Sequence, residues 1–196
     1  MLGSHNSLSY MPIKGWKKIL KPWIKCQSLS LEQQYQKGVR YFDIRVRIHK
    51  GEWWYCHNSA LFEPVNYDGN IVNGPLAWFK ISKVPIRVIL DVRKKPKNAE
   101  AYQNDFFSLI ASLKSNGLLI DSAIVYWTWK EHAECKINQE EYHSSVSAPW
   151  YQYILGTKWF AKHYNRQYLE GYQGNRKDLG DSKKDTVILM DYIEYQ

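Results

Sequence analysis

The segment VRYFDIRVRI, at 39–48, constrains the fold more than any other stretch of this chain. Strand side chains alternate between faces with a period of two. One face of the segment therefore carries Arg40, Phe42, Ile44, Val46 and Ile48, and the other carries Val39, Tyr41, Asp43, Arg45 and Arg47. A strand apolar on both faces belongs inside a sheet covered on both sides. Charges on one face near its C-terminal end need partners, because an unpaired buried charge is very costly. IRVILDVR at 86–93 repeats the pattern with Ile89, Asp91 and Arg93 on one face, and TVILMDYI at 186–193 repeats it with Val187, Leu189 and Asp191. Charges gathering at the same end of several strands predict an α/β fold with parallel strands, a single TIM-type (β/α) barrel whose active site lies at the strand C-terminal ends. For Arg47 alone the simpler reading, a charge reaching solvent at the rim, is preferred.

Further strands are predicted at 53–57 and 122–129, and an amphipathic helix at 101–117 carries Phe106, Leu109, Ile110 and Leu113 on one stripe, closed by Gly117. In 30–38, Ser30 followed by Gln33 forms a capping-box pattern and Gly38 is a natural helix stop. No repeat or linker divides the 196 residues, which are read as one domain over 1–196. The aromatic stretch 130–185 resists assignment.

The formal charge of +8 favours anionic partners. The segment 11–27 sets Trp16, Ile19, Leu20, Trp23 and Ile24 among Lys14, Lys17, Lys18, Lys21 and Lys25. It reads as a short helix interrupted by Pro22, either packed on the core or presenting a cationic, Trp-bearing face to an anionic membrane surface. No apolar run approaches the about 18 residues of a membrane span, and the start of the chain is polar where a secretory leader would be apolar. The chain is therefore expected in the cytoplasm by default. Cys26, Cys56 and Cys135 have no CxxC spacing and support neither a disulfide framework nor a zinc site.

GSHNS at the start, the Leu31-x-x-Gln34-Tyr35-x-x-Gly38 helix end, VRYFDIRVR, Tyr55-Cys56-His57, IRVILDVRKK and the late VILMDYIE together resemble the X-domain of phosphatidylinositol-specific phospholipase C. The resemblance implies His5 as general base, His57 as general acid and Asp191 as the group orienting His5. It also implies that Arg45 does the work that calcium does in the animal enzymes, with Asp43 and Asn6 completing the catalytic set. Two imidazoles suit both halves of a phosphodiester cleavage, since their intrinsic pKa of about 6.5 lets one accept and the other donate a proton. Asp43-x-Arg45 replaces a paired-acid site, so metal-independent catalysis without a cofactor is expected, as in the bacterial members. Asn6 stands where those members usually have aspartate, and an amide lends no negative charge to His57. Arg93 and Lys95 are read either as ligands of the phosphate or sugar hydroxyls or as rim charges, and Tyr126 or Thr128 as lining the pocket. His49, His132, His143 and His163 are read as surface or core residues, and Trp53, Trp54, Trp127 and Trp129 as packing. Only Met1 and Leu2 remain of the family's first strand, and the chain stops soon after Asp191, so a distorted or incomplete barrel is expected. The implied substrate is a phosphoinositide or related glycerophospholipid, handled by a monomer, with nucleic acid an unlikely partner. A glycerophosphodiester or sphingomyelin-type phosphodiesterase and a catalytically silent anionic-lipid or nucleic-acid module are the alternatives.

Overall fold

A computed structural model describes residues 2–65, 75–84, 86–92, 96–119, 124–127, 139–142, 158–159, 161–163, 165–166 and 187–195. The fold is mixed α/β. Its sheet contains β1 (Leu2–Ser4), β2 (Tyr41–His49), β3 (Glu52–His57), β4 (Ala60–Pro64), β5 (Ile86–Leu90), β6 (Ile124–Trp127), β7 (Gln139–Tyr142) and β8 (Val187–Met190). Among the described residues, the α-helical segments α1 (Lys21–Ile24), α2 (Leu31–Gln36), α3 (Ala77–Ser82) and α4 (Ala99–Ser115) accompany it.

Register defines the topology. Phe42 pairs with Ser4 on one edge of β2 and with Ile86 on the other, while Val46 pairs with Tyr55 and Leu90 in the same way. Strands β1 and β3 therefore follow each other along one edge of β2, with β5 along the opposite edge. A parallel path runs β6-β5-β2-β1-β8-β7. The expectation of parallel strands needs one correction, because β3 and β4 are antiparallel, a β2–β3–β4 meander running off the parallel path. Lys50 and Gly51, both with positive φ, make the tight turn between β2 and β3, which a two-residue connection between antiparallel strands requires.

The core lies between the sheet and its helices. Phe106, Leu109, Ile110 and Leu113 of α4 are buried as their spacing demands, and Gly117 leaves the helix at φ 68°. They pack with Phe42, Ile44, Val46, Val88 and Leu90 from the strands. Tyr41 and Leu189 form a second, small buried cluster. Ser30 and Gln33 cap α2 reciprocally, and Gly38 (φ 93°) follows its end. Pro22 does not interrupt a helix. A 3-10 turn over Gly15–Leu20 comes first, and Pro22 sits in the opening turn of α1, where its missing N–H costs no helical bond. The first strand is longer than the sequence suggested, since Gly3 and Ser4 pair with β2 as well as β8. No helix among the described residues is long and apolar enough to cross a membrane.

Candidate active site

Three of the side chains singled out by the sequence, His5, His57 and Asp191, gather where strands end. β1 stops at Ser4 and β8 at Met190, so His5 and Asp191 leave neighbouring strands side by side. His5 Nδ1 lies 2.7 Å from Asp191 Oδ1, and both residues are fully buried. With Nδ1–H donating to that carboxylate, the basic lone pair of the ring resides on Nε2. The loop is held by Gln27, whose Nε2 donates to the carbonyls of His5 (3.1 Å) and Met190 (2.7 Å) and whose Oε1 accepts from Ile193 N–H at 3.2 Å. Asn165 donates to the Asp191 carbonyl at 2.6 Å. Tyr192, beside Asp191, takes a φ of 45°, a left-handed turn that a non-glycine residue adopts only when its surroundings hold it.

His57 arrives by a different route. It ends β3, the antiparallel strand that carries the chain back from the far end of β2. Its ring centroid lies 5.8 Å from that of His5, with the planes at 89°. Burial pushes the His57 pKa down to about 4, and the nearby charges of His5 and Arg45 push the same way. The resemblance places Asn6 in the position of an aspartate partner to this histidine, but here Asn6 turns to the Cys56 carbonyl at 3.4 Å. His57 Nδ1 instead meets the carbonyl of Ile24, at 2.5 Å, and Cys26 Sγ lies 3.7 Å from the same nitrogen. Ile24 is the last residue of α1. The turn after His57 is clamped on both sides: Asp91 accepts from Asn58 N–H at 2.7 Å, and Arg47 donates to the Asn58 carbonyl at 2.9 Å. Arg47 is thus a half-buried clamp on the His57 turn rather than a rim charge reaching solvent.

Beneath the imidazoles lies a buried ion network. Asp43 accepts from Arg45 Nε and Arg87 Nε, each at 3.0 Å, and from the Asn6 main-chain N–H at 2.9 Å. Burial alone would raise the Asp43 pKa, but the Arg45 and Arg87 guanidinium groups outweigh it and hold the carboxyl well below the usual range. Asp43 is accordingly an anchor for Arg45 and for the backbone beside His5, and its two flanking guanidinium groups disfavour a second cation there. Arg87 was missed by the reading of its strand as initially apolar on both faces. Its parity with Ile89 and Asp91 placed it on the charged face, and the register sets it opposite Asp43.

The structure therefore brings together His5, His57, Asp191, Asp43, Arg45 and Asn6 around one locus, and adds Arg87, Gln27, Asp91, Asn165 and Cys26. Arg93, Lys95, Thr128, Trp129, Cys135, His132 and His143 lie outside the described residues. Tyr126 is placed by its backbone alone, in register with Ile89. His49 stands edge-on to Trp54, and His163 is exposed and stacked on Trp159, both remote in role from the cluster.

The fold that brings two imidazoles, a carboxylate and the Arg45 guanidinium together is similar to that of solved structures of phosphatidylinositol-specific phospholipase C. The enzyme from Listeria monocytogenes superposes with a TM-score of 0.59 at 11% identity, covering 100% of this chain and 92% of its own. Two structures of the Staphylococcus aureus enzyme give TM-scores of 0.58 and 0.60 at 14% and 15% identity, each covering 100% of this chain and 87% or 86% of their own. No protein-family model matches the chain, and no curated protein matches it by sequence. At such identities the likeness is one of fold.

Proposed function

We propose that this chain is a phosphodiesterase that cleaves a phosphoinositide or related glycerophospholipid by intramolecular attack, without a metal ion. The observation that carries the proposal is the facing pair of imidazoles, 5.8 Å apart, one backed by a buried carboxylate. His5 Nε2 takes the proton from the hydroxyl next to the phosphate, and that oxygen forms a bond to phosphorus. The bond from phosphorus to the glycerol oxygen breaks, and His57 gives that oxygen its proton. Diacylglycerol and a cyclic phosphodiester result. Asp191 stabilises the imidazolium formed on His5, and Arg45, steadied by Asp43, faces the charge that builds on the non-bridging oxygens. One well-placed donor of this kind contributes about 3–4 kcal/mol to the transition state.

His57 enters the reaction protonated, although its surroundings depress its pKa to about 4. An anionic phosphodiester bound between the rings supplies the opposite charge that favours the imidazolium. The parallel path β6-β5-β2-β1-β8-β7 has the order of a barrel whose closure would join β6 to β7, which supports a distorted TIM-type barrel. Substrate reaches the site at a membrane surface. Trp16 is 70% exposed, Ile19 73% and Trp23 45%, among the lysines of the 15–25 segment that also carries the Ile24 carbonyl in contact with His57. Apolar rings beside lysines match an interface of anionic lipid.

Turnover of phosphatidylinositol vesicles in excess EDTA, with the cyclic phosphate trapped, tests the reading. Turnover with cyclic product is the expected result. Hydrolysis that needs a divalent ion would favour a glycerophosphodiester-type reaction, and vesicle binding without turnover would favour a silent lipid-binding module.

A further inference from the structure

Cys26 has no role in the chemistry proposed above, yet it sits against it. The ligand atoms of His5, Cys26 and His57 all lie within 4.8 Å of one another. We propose that these three residues form a binding site for a thiophilic divalent cation of the Zn2+ class, and that filling it switches the histidine pair off. The inhibitory consequence rests on the phosphodiesterase reading; the binding itself does not.

Geometry and donor chemistry carry the inference together. A tetrahedral zinc with bonds of about 2.0–2.1 Å to nitrogen and about 2.3 Å to sulfur sets its N and S ligands roughly 3.6 Å apart. Cys26 Sγ and His57 Nδ1 are separated by 3.7 Å. His5 completes the set through Nε2, while its Nδ1 already donates to Asp191 at 2.7 Å. A carboxylate on the far nitrogen of a ligating histidine is the usual support of a zinc-bound imidazole. Two nitrogens and a sulfur, with no oxygen, select zinc, cadmium or cobalt and reject calcium or magnesium. Cys26 is also fixed in place: its N–H donates to Ser9 Oγ at 2.9 Å and its carbonyl accepts from Tyr192 N–H at 2.5 Å. The thiolate and the Asp191 carboxylate balance the two charges of the ion.

Binding forms three bonds to the metal and releases the thiol proton to solvent. His57 must turn its Nδ1 lone pair to the ion, with its hydrogen on Nε2, and so lets go of the Ile24 carbonyl. His5 Nε2 no longer accepts a proton. Both halves of the acid–base pair are then occupied, and the fourth tetrahedral position is left to water or an anion.

Cadmium and cobalt report such a site without any reference to turnover, because a metal–thiolate bond gives an ultraviolet charge-transfer band. The whole chain, stripped of metal, is titrated with Cd2+ and Co2+. The expected result is a saturating thiolate band at one ion per chain, absent with Ca2+, absent from Cys26→Ala and retained in Cys56→Ala. Asp191→Asn weakens the affinity on the order of 10–100-fold. Lack of the band in the native chain, or an undiminished band in Cys26→Ala, overturns the site. If Cys26→Ala does not fold, His57→Ala serves in its place, expected to weaken the ion's binding at least tenfold; unchanged affinity overturns the site equally. Inhibition of vesicle turnover should follow Zn2+ occupancy and need at least tenfold more zinc in Cys26→Ala. Occupancy without inhibition overturns the switch alone, and a chain that never turns over substrate yet shows the band refutes the phosphodiesterase reading and not the site.

Discussion

The two histidines face each other across 5.8 Å but are held by opposite means. His5 is 2% exposed, pinned between β1 and β8, with a buried carboxylate behind it and Gln27 stapling its main chain. His57 is half-buried at the end of an antiparallel excursion, and its Nδ1 rests on a neutral carbonyl at the end of an exposed, lysine-rich segment. Lys17, in the same segment, reaches the Ser59 carbonyl at 2.5 Å, two residues beyond His57. A charged partner favours the imidazolium that a base becomes, and a rigid sheet keeps it aimed. A carbonyl partner orients a ring without that strong electrostatic bias. It leaves the donor weakly basic and eager to release its proton, and it couples that donor to the exposed segment proposed above to meet lipid.

The largest effect expected from this contrast is the loss of either ring. His5→Ala and His57→Ala should each lower turnover of phosphatidylinositol by about 10²–10⁴-fold, the usual contribution of one acid or base, with circular dichroism unchanged. A near-normal rate in one variant would show that its wall carries no proton. Arg45→Met should cost on the order of 10²–10³-fold. In Arg45→Asp the residual activity should respond to calcium, because two carboxylates would then stand two residues apart on β2; residual activity indifferent to calcium would contradict the role assigned to that guanidinium.

The surroundings of His5 were legible in the sequence, and most of those of His57 were not. Alternation along β2 put Asp43, Arg45 and Arg47 on one face, and the strand-then-charge pattern of 186–193 placed Asp191 at a strand end. These are local signals with a period of two. The same rule, applied strictly to 86–93, would have found Arg87. What alternation does not encode is a contact between segments far apart. Ile24 and Cys26 lie 33 and 31 residues before His57 in the chain, and main-chain groups such as the Ile24 carbonyl leave no trace in a side-chain pattern. Cysteine spacing hid the His5–Cys26–His57 triangle for the same reason, since its members come from three separate elements. The antiparallel β3–β4 pair was obscured because Trp53, Trp54 and Tyr55 are large on both faces.

Asp191→Asn should fall between the histidines and the remaining changes. It removes the charge behind His5 but leaves the proton carrier, so a loss smaller than that of His5→Ala is expected. A loss equal to that of His5→Ala would mean that the carboxylate sets the tautomer outright. On the other wall, Trp16→Ala and Ile19→Ala should each weaken binding to anionic vesicles by roughly 10–150-fold, because burying one large apolar side chain is worth about 1.5–3 kcal/mol. Turnover of a vesicle-borne substrate should fall more than that of a monomeric one. Equal losses on both would separate the exposed segment from membrane contact.

The smallest effect is on stability, and it has a definite sign. The His57 pKa is about 4 in the folded chain against about 6.5 when unfolded. Between those values the unfolded chain binds more protons, so stability rises with pH across the interval and is lost as pH falls from about 6.5 towards 4. Asp43, held well below its usual range by Arg45 and Arg87, adds a further loss below the unfolded carboxylate value of about 3.9. Catalysis pulls the other way, because the donor must be protonated before it can give a proton, so kcat/KM should be greatest on the acidic side of neutrality. Urea midpoints measured from pH 7 to pH 4 should therefore fall in the native chain by less than about 3 kcal/mol of stability, since one pKa unit is about 1.36 kcal/mol and the partly exposed ring is screened by water. In His57→Gln the same interval should be nearly flat. An identical slope in both proteins would mean that the His57 ring titrates as it does in water, and the difference drawn between the two walls would then reduce to geometry alone.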